Sequence, residues 1–353
     1  MRSTTARHDI DRDLVLRHLR RLGNLADTPQ AAPTPLPVGI AGVALERDGV
    51  LTVDGQLAHG TPRRVSELFS AGSHPPYLAD SVLTATMCHS GHDPVMYHAF
   101  RHFLPPRDLR SGRHLPADPS GAVTSGPGRL LADLVIYQPG ELPGDEPFRS
   151  TGHWNLPGQL EIFQVLTGRV AMLVAGRNRS AEPFAYVQVC QAGETMAVPF
   201  EVWHVSYVLD GPAAVFNVTT MLEAGPVGAG AGVSKYSRSA PVAITVRREG
   251  PDLRCVSTPA AMRIWGEPGE PPRIDWLHGL LSAGQSLADL HLHGTPEQLE
   301  AIVQAAREAY RQGWPVSDLK PCAGRSPGRP DEGRAGSGGP ADVAPVAGRW
   351  AWM

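Results

Sequence analysis

Residues 152–168 read GHWNLPGQLEIFQVLTG and are the most informative part of the sequence about the fold. His153 and Asn155 lie two positions apart in an extended segment, so both side chains project from the same face. Glu161 follows inside the apolar run LEIFQVL, where a buried carboxylate is costly unless a cation or a hydrogen-bond donor compensates its charge. Gly168 then supplies a turn. The stretch therefore predicts a buried strand that carries ligand-type side chains.

A second stretch, residues 192–209, adds a further histidine. It reads AGETMAVPFEVWHVSYVL, in which a Gly and a Pro punctuate a strand and His204 follows. Two imidazoles and one carboxylate that face one interior from separate strands form a facial set for a first-row divalent cation. We therefore predict that His153, Glu161 and His204 bind such a cation, with Fe(II) as the first choice and Mn, Ni or Zn as alternatives.

Short apolar runs recur from residue 93 to residue 222. They are separated by Gly, Pro and Asn at intervals of roughly 8–12 residues, which is typical of an antiparallel sandwich or barrel. The runs are PVMYHAF, ADLVIY, LEIFQVLTG, VAMLVAG, FAYVQVC, TMAVPF and AAVFNVTT. The sequence therefore predicts an all-β core, either an antiparallel sandwich or a barrel.

The chain before this core shows a helix, an arm, a hairpin and a second helix. Apolar residues at helical spacing among charges indicate a short amphipathic helix over 10–22, and the Pro-rich stretch 28–39 indicates a linker or an extended arm. Asp48-Gly49 lies between two alternating runs, which predicts a β-hairpin. In TPRRVSELFSA, Thr61 as N-cap followed by a Pro predicts the second helix.

The chain after the core predicts a hairpin at VAITVRREGPDLRCV and a helix over 295–312 with Thr295 as its N-cap. The last segment is too polar and too rich in Gly and Pro to fold alone. We therefore divide the chain into four parts. They are an N-terminal helix and Pro-rich arm (1–40), a barrel (41–223), a C-terminal α+β extension (224–320) and a disordered tail (321–353).

Composition and charge restrict the class of partner. Hydrophobic residues make up 42% of the 353 residues, charged residues make up 19%, and the net charge is -3, so neither nucleic acid nor a membrane is the expected partner. The four cysteines lack CxxC spacing, which fits a reducing compartment. We find no signal peptide and no apolar stretch near the roughly 20 residues of a membrane span. We therefore expect a soluble, cytoplasmic protein.

The spacing of these residues resembles the two-block pattern of the cupin superfamily, which implies a jelly-roll β-barrel with peripheral helices. That pattern runs G-x5-H-x-H-x(3–6)-E-x6-G, followed by G-x5-P-x-G-x2-H. The matching positions are Gly152, His153, Glu161 and Gly168 in the first block and Gly193, Pro199 and His204 in the second. Asn155 replaces the second histidine of the first block, and Glu201 replaces the glycine before the last histidine.

Within that superfamily, residues 45–222 resemble the archaeal-type cupin glucose-6-phosphate isomerases. The matching segments occur in the same order along the two sequences. Phe163 lies where that family usually has a Tyr. The matching segments are DGVLTVDG, TPRRVSELFSA, DPVMYHAF, LVIYQPGELPGDEPF, a Ser/Thr-Gly-His segment, an E-[IV]-[FY] strand and V-P-x-x-x-W/A-H.

The resemblance implies an enzyme that interconverts glucose 6-phosphate and fructose 6-phosphate, as in glycolysis and gluconeogenesis. It implies that a sugar phosphate binds in the barrel mouth, and that the chain forms a homodimer by strand exchange. The implied metal ligands are His153, Glu161 and His204, with Asn155 in the position of a fourth ligand. The implied catalytic residues are Glu161 and His204, and either the carboxylate of Glu161 or a metal-bound water would move the proton between C1 and C2. The implied substrate-binding residues are Tyr97, Ser150, Thr151 and Gly152.

The residues leave other functions open. Two imidazoles and a carboxylate are also the ligand set of non-haem Fe(II) oxygenases of specialised metabolism. A non-catalytic cupin that binds a small metabolite is a third possibility. For Asn155, which precedes Leu-Pro, a turn-forming role and a role as metal ligand are both open. A second cluster, Asp289, His291 and His293, resembles the opening of amidohydrolase-like metal sites, but the strand–helix repeats of such barrels are not present, which favours a structural role.

Overall fold

Strand pairing in the protein follows the apolar runs of the sequence. The predicted tail at 321–353 lies outside the described residues, as does the beginning of the predicted C-terminal extension. The computed structural model describes residues 4–21, 25–29, 34–35, 40, 42–46, 49–70, 76–116, 128–156, 158–221, 241–250, 252–281 and 284–315.

The described residues before position 90 form helices and short strands. The elements are α1 (Thr4–Arg21), β1 (Leu25–Pro29), β2 (Thr34–Pro35), β3 (Val43–Leu45), β4 (Leu51–Val53), β5 (Gln56–Ala58), β6 (Thr61–Arg64), α2 (Glu67–Ser70) and α3 (Ser81–His89). Strands β1 to β5 form an antiparallel sheet in the order β1-β5-β4-β3-β2. The predicted hairpin is confirmed as β3 and β4, and the Pro-rich stretch 28–39 contains the edge strand β2 and the end of the other edge strand, β1.

Long barrel strands and a helical C-terminal part follow. The elements are β7 (Val95–Asp108), β8 (Arg129–Tyr137), β9 (Glu141–Leu142), β10 (Glu146–Pro147), β11 (His153–Trp154), β12 (Gln159–Arg177), β13 (Pro183–Gln191), β14 (Thr195–Val198), β15 (Trp203–Met221), β16 (Ile244–Glu249), β17 (Asp252–Ser257), α4 (Pro259–Trp265), α5 (Asp275–His278), α6 (Leu287–His293) and α7 (Pro296–Arg311). The hairpin β16–β17 and helix α7, capped by Thr295, were both predicted and are confirmed. No described helix combines the length and the apolarity that a membrane crossing requires.

Two 19-residue strands, β12 and β15, contribute to both halves of the barrel. The main sheet has the order β13-β12-β15-β8-β7-β6, with β14 added to β12 and β11 added to β15. Between Val165 and Val170 the register of β12 against β15 shifts, and such irregularities bend a strand. Before this bend β12 pairs with β14, and after it β12 pairs with β13. This all-β jelly-roll core with peripheral helices is the fold class that the sequence predicted.

Apolar side chains fill the barrel interior and cover both outer faces. Phe163 belongs to the interior cluster, whereas its neighbour Ile162 packs outward against Leu290 of α6 and Leu299 of α7. The other outer face is covered by the β16–β17 hairpin and by α4. Since side chains alternate along a strand, Glu161 must project into the same interior as Phe163.

The helix predicted from TPRRVSELFSA is wrong over its first half. Residues Thr61–Arg64 form β6, which pairs antiparallel with β7, and only Glu67–Ser70 are helical. The reason is non-local. The edge of β7 supplies backbone partners, and the carboxylate of Asp93 accepts hydrogen bonds from the backbone N–H and the hydroxyl of Ser66. A capping pattern within the segment carries no information about that edge.

Candidate metal centre

His153, Glu161 and His204 come together in the barrel from three strands. His153 on β11 lies directly opposite His204 on β15, and their ring centroids are 4.2 Å apart. Glu161 projects from β12. Phe163, two residues further along β12, packs against His204, with the two ring centroids 5.6 Å apart. The structure thus brings together the three residues that the sequence selected as metal ligands.

The two imidazoles converge on one buried carboxylate. Nε2 of His204 lies 3.1 Å from Oε2 of Glu161, and Nε2 of His153 lies 3.7 Å from Oε1. The side chains of Glu161 and His204 are 2% and 4% exposed, whereas that of His153 is 14% exposed and is the most accessible of the three. A carboxylate so deeply buried requires a compensating cation or hydrogen-bond donor. A divalent cation would supply the compensating charge, and imidazole binds metal in its neutral form.

The donor set fits a first-row divalent cation. One nitrogen of each imidazole and one carboxylate oxygen lie within 4.8 Å of one another. Two further buried atoms of this region, Oδ1 of Asn155 and Nδ1 of His204, have no hydrogen-bond partner, which is uncommon in folded proteins. A neutral oxygen of this kind is a suitable cation ligand. Among the described residues, no other group of three His, Cys, Asp or Glu side chains converges in this way.

The amide of Asn155 is held by the main chain at the end of β14. Its Nδ2 donates to the carbonyls of Pro199, at 3.0 Å, and Val198, at 3.4 Å, and its backbone N–H donates to the carbonyl of Val202. Because carbonyls only accept, these bonds fix which end of the amide carries the nitrogen. Asn155 therefore fastens the segment after β11 to the neighbouring strand, and its role as a fourth ligand stays a prediction.

Two turns with positive φ precede the histidines. Gly152 has φ +70°, and a Cβ at this position would lie 2.6 Å from Cζ2 of Trp203, so glycine is required for both reasons. Glu201 occupies the position of the glycine in the cupin pattern, and its φ of 53° keeps the left-handed backbone that such a glycine provides. The side chain of Glu201 is exposed, as expected for a solvated charge at a strand end.

Four hydroxyl side chains form a cluster in the same part of the barrel. Ser206 lies two residues after His204 on β15, and its backbone N–H donates to Oγ of Ser150 at 3.1 Å. Tyr137 bonds to both serines and packs against Tyr97, with ring centroids 5.4 Å apart. Burial raises the pKa of Tyr137, so its hydroxyl stays protonated at neutral pH. The predicted substrate residues Tyr97 and Ser150 both belong to this cluster.

A buried ion pair anchors the segment that carries the other two predicted substrate residues, Thr151 and Gly152. Nη1 of Arg149 lies 2.8 Å from Oε1 of Glu146, and the two side chains are 1% and 0% exposed. The hydroxyl of Thr245 on β16 donates to the same oxygen of Glu146. The charge of Arg149 is thus compensated within the fold. Thr151 is buried, and its role toward substrate, like that of Gly152, stays a prediction.

Sequence reasoning missed three polar residues of this region, namely Gln159, Ser206 and Tyr137. Strand alternation could have identified the first two, because Gln159 precedes Glu161 by two positions and Ser206 follows His204 by two. Tyr137 lies opposite Tyr97 in the β7–β8 pair, a relationship that only the register supplies.

The second histidine cluster has a structural role. Asp289, His291 and His293 lie in the helix α6, and His291 is completely buried. Nε2 of His291 lies 2.8 Å from the carbonyl of Pro105 on β7, and burial lowers the pKa of the ring to about 3. A neutral ring that donates to a carbonyl holds α6 against the barrel.

Comparison with known proteins gives weak similarities to solved structures only. No protein-family model matches the chain, and no curated protein matches it. The chain is similar to oxalate oxidase in complex with the substrate analogue glycolate, with 18% identity and a TM-score of 0.24 over 36% of this chain and 53% of that chain. It is also similar to KdgF from Halomonas sp., with 17% identity and a TM-score of 0.20 over 28% of this chain and 74% of that chain.

A third similarity is to the cupin domain of Schizosaccharomyces pombe Cnp3, with 11% identity and a TM-score of 0.20 over 28% of this chain and 58% of that chain. The chain therefore spans about half the length of the oxalate oxidase that it matches. At these values the similarities carry no argument about activity, and the fold rests on the strand pairing described above. The resemblance to sugar-phosphate isomerases stays a prediction.

Proposed function

We propose that this protein is a metal-dependent enzyme centred on His153, Glu161 and His204, and that it isomerises a small sugar phosphate between its aldose and ketose forms. The observation that carries the proposal is the convergence of two imidazoles on one buried carboxylate, at 3.1 and 3.7 Å. Three protein ligands leave coordination positions for substrate oxygens. The resemblance of residues 45–222 to cupin isomerases supports this choice of reaction.

The hydroxyl cluster supports a polar substrate. An open-chain sugar presents a donor and an acceptor at each hydroxyl group, and the hydroxyls of Tyr137, Ser150 and Ser206 offer the same pair of functions. Because the pKa of Tyr137 is raised by burial, this side chain serves as a hydrogen-bond donor and not as a base at neutral pH. The cluster would therefore bind and orient the sugar, while the proton transfer falls to other groups.

The proton transfer between C1 and C2 needs a base within hydrogen-bond reach of the substrate. Glu161 is the proposed base, since its carboxylate lies inside the barrel, and it would take the proton from one carbon of the sugar and return it to the other. His204, with Nε2 3.1 Å from Oε2 of Glu161, would hold that carboxylate in place as a fellow ligand. A bound divalent cation would act as a Lewis acid on the carbonyl and hydroxyl oxygens of the sugar. Phe163, in place of the tyrosine usual in cupin isomerases, excludes water from the side of His204.

Asn155 favours a second candidate, a non-haem Fe(II) enzyme that uses dioxygen. The nitrogen of its amide donates to the carbonyls of Val198 and Pro199, so no nitrogen ligand replaces the missing third imidazole of the cupin pattern. Two His and one carboxylate with open positions form the ligand set of Fe(II) oxygenases. Apolar interior residues such as Phe163 and Val174 would suit a less polar substrate than a sugar phosphate.

Metal analysis followed by two assays tests these candidates. The purified protein is analysed for Fe, Mn, Ni and Zn, and then assayed without oxygen for conversion of fructose 6-phosphate to glucose 6-phosphate. Isomerisation that is lost in Glu161→Gln and retained in the surface variant His89→Ala supports the first candidate. Oxygen consumption with Fe(II) and no isomerisation supports the second. A metal-bound protein without either activity supports a non-catalytic metabolite-binding role, and a protein that binds no metal contradicts the proposal.

A further inference from the structure

The carboxylate of Glu161 is held by a neighbour on its own strand. Gln159 precedes Glu161 by two positions on β12, so the two side chains share the interior face. Nε2 of Gln159 donates a hydrogen bond to Oε1 of Glu161, and both residues are 1% exposed. A hydrogen bond to an ionised acceptor is stronger than one between neutral groups, and a low-dielectric interior strengthens it further.

A second hydrogen bond fixes the orientation of the Gln159 amide. The backbone N–H of Leu156 donates to Oε1 of Gln159 at 3.0 Å, and the backbone N–H of Gln159 donates to the carbonyl of Leu156 at 2.9 Å. Since an N–H only donates, the carbonyl end of the side chain must face Leu156 and the NH2 end must face Glu161. Gln159 therefore acts as a donor toward the carboxylate in one fixed orientation.

A weaker donor reaches the same carboxylate oxygen from the neighbouring strand. Thr219 on β15 is paired with Glu161, and its hydroxyl lies 3.5 Å from Oε1, at the long limit of a hydrogen bond. Nε2 of His153 is 3.7 Å from Oε1, which is beyond that limit. The other oxygen, Oε2, is 3.1 Å from Nε2 of His204. The two oxygens thus have different surroundings, and Gln159 is the strong neutral donor at Oε1.

We propose that Gln159 is a positioning residue of the metal centre. By holding Oε1, it would leave Oε2 of Glu161, the oxygen 3.1 Å from Nε2 of His204, as the carboxylate ligand of a divalent cation that His153 and His204 would also bind. This inference rests on the proposed metal centre but not on the proposed isomerisation. A carboxylate that binds through one oxygen leaves one more coordination position for substrate than a carboxylate that binds through two.

Metal binding by the full chain tests the role of Gln159 without reference to activity. Metal-free wild type, Gln159→Met and Thr219→Val are titrated with Co(II), and the Kd and the visible absorption spectrum of the bound Co(II) are measured. Methionine resembles glutamine in size but lacks the donor. We expect the Kd of Gln159→Met to rise about 10- to 100-fold, the usual range for residues that orient metal ligands, and the Co(II) spectrum to change. The matched control Thr219→Val removes the long contact to Oε1 and an equally long one from Nδ2 of Asn217, at 3.4 Å, and should stay within about threefold of wild type.

Two outcomes separate this inference from the metal centre itself. If wild type binds Co(II) and a folded Gln159→Met variant shows the same Kd and spectrum, the positioning role is overturned and the metal centre stands. If wild type binds no Co(II), both are overturned. Thermal unfolding of the metal-free proteins monitors folding. Should Gln159→Met not fold, Gln159→Asn takes its place, since it keeps the amide but is one methylene shorter and so withdraws the donor from Glu161. A wild-type Co(II) spectrum in Gln159→Asn would equally contradict the inference.

Discussion

His153 and His204 face each other across two adjacent antiparallel strands, with 4.2 Å between their ring centroids. The strand β11, which carries His153, is only two residues long. It is held by its pairing with β15 and by the turn at Gly152 that precedes it. His204, in contrast, lies in the long strand β15 and is paired with Val174 on its other side. The buried and rigid half of the centre is therefore Glu161 with His204, and His153 is its accessible half.

Replacement of His204 by alanine should abolish stoichiometric metal binding. The variant His204→Ala removes the imidazole closest to the carboxylate of Glu161 and leaves two ligands, too few for a stable first-row site. Elemental analysis of the purified variant measures the result. His89→Ala, which changes an exposed histidine of α3, is the matched control and should keep full occupancy. Wild-type metal content in His204→Ala would show that the assigned ligands are wrong.

Replacement of Asn155 by histidine should tighten metal binding. The variant Asn155→His introduces an imidazole where the amide now offers one neutral oxygen, and a ring N–H can still donate to the carbonyl of Pro199. Imidazole is the better ligand for Fe, Ni and Zn. The Kd for Zn(II), measured by competition with a chromophoric chelator, should therefore fall. An unchanged Kd would exclude Asn155 from the ligand set and leave it the structural role that its two carbonyl contacts define.

Much of this centre was predictable from the sequence because it depends on local spacing. His153, Glu161 and His204 follow from a carboxylate inside an apolar run and from two histidines next to Gly and Pro. The same spacing could not give the partners of these residues. The contact of Asn155 with the carbonyl of Pro199 joins residues 44 positions apart and depends on how β11 and β14 come together.

The fold shows the same division between local and non-local information. The hairpin β16–β17 and helix α7 were predicted because turn and capping residues within each segment determine them. Residues Thr61–Arg64 carry a good helix N-terminus and still form a strand, since pairing with β7 outweighs a weak local preference. Pairing with distant strands therefore determines the secondary structure of short segments. The local sequence pattern determines the secondary structure of segments that have strong capping or turn residues.

Replacement of Gly152 by alanine should destabilise the fold more than the same change at Gly193. Both glycines have positive φ, at +70° and +92°, so alanine costs about 1–2 kcal/mol of backbone energy at either position. At Gly152 the new Cβ would also lie 2.6 Å from the ring of Trp203, and such overpacking costs about a further 1–3 kcal/mol. At Gly193 no atom lies within 4 Å of the new Cβ.

Urea denaturation of Gly152→Ala, Gly193→Ala and wild type measures this difference. The free energy of unfolding should be lowest for Gly152→Ala, and metal affinity should fall in that variant only, because Gly152 precedes His153. Equal destabilisation by the two changes would mean that Trp203 moves aside at little cost. The comparison separates the backbone requirement from the steric one.

Four histidines lie where α1, β7 and α6 meet, at His18, His102, His114 and His291. Burial lowers the pKa of each ring, and that of the completely buried His291 falls to about 3. Nε2 of His18 lies 2.5 Å from the carbonyl of His102, and Nε2 of His114 lies 3.2 Å from the carbonyl of Leu292. Neutral rings therefore connect the N-terminal helix and the C-terminal helices to the barrel.

The free energy of unfolding should consequently fall as the pH is lowered below about 6.5. His291 stays neutral in the folded state down to pH about 3, whereas in the unfolded state it takes up a proton near its ordinary pKa of 6.5, so acid favours unfolding. One such group contributes at most about 1.4 kcal/mol per pH unit to the slope of the free energy of unfolding against pH between these values.

The variant His291→Gln keeps a donor for the carbonyl of Pro105 and cannot titrate. Urea denaturation at pH 7.5, 6.5, 5.5 and 4.5 should give parallel stabilities for the two proteins above pH 6.5 and a steeper decline for wild type below it. Equal slopes in the two proteins would show that His291 does not control the acid sensitivity of the fold.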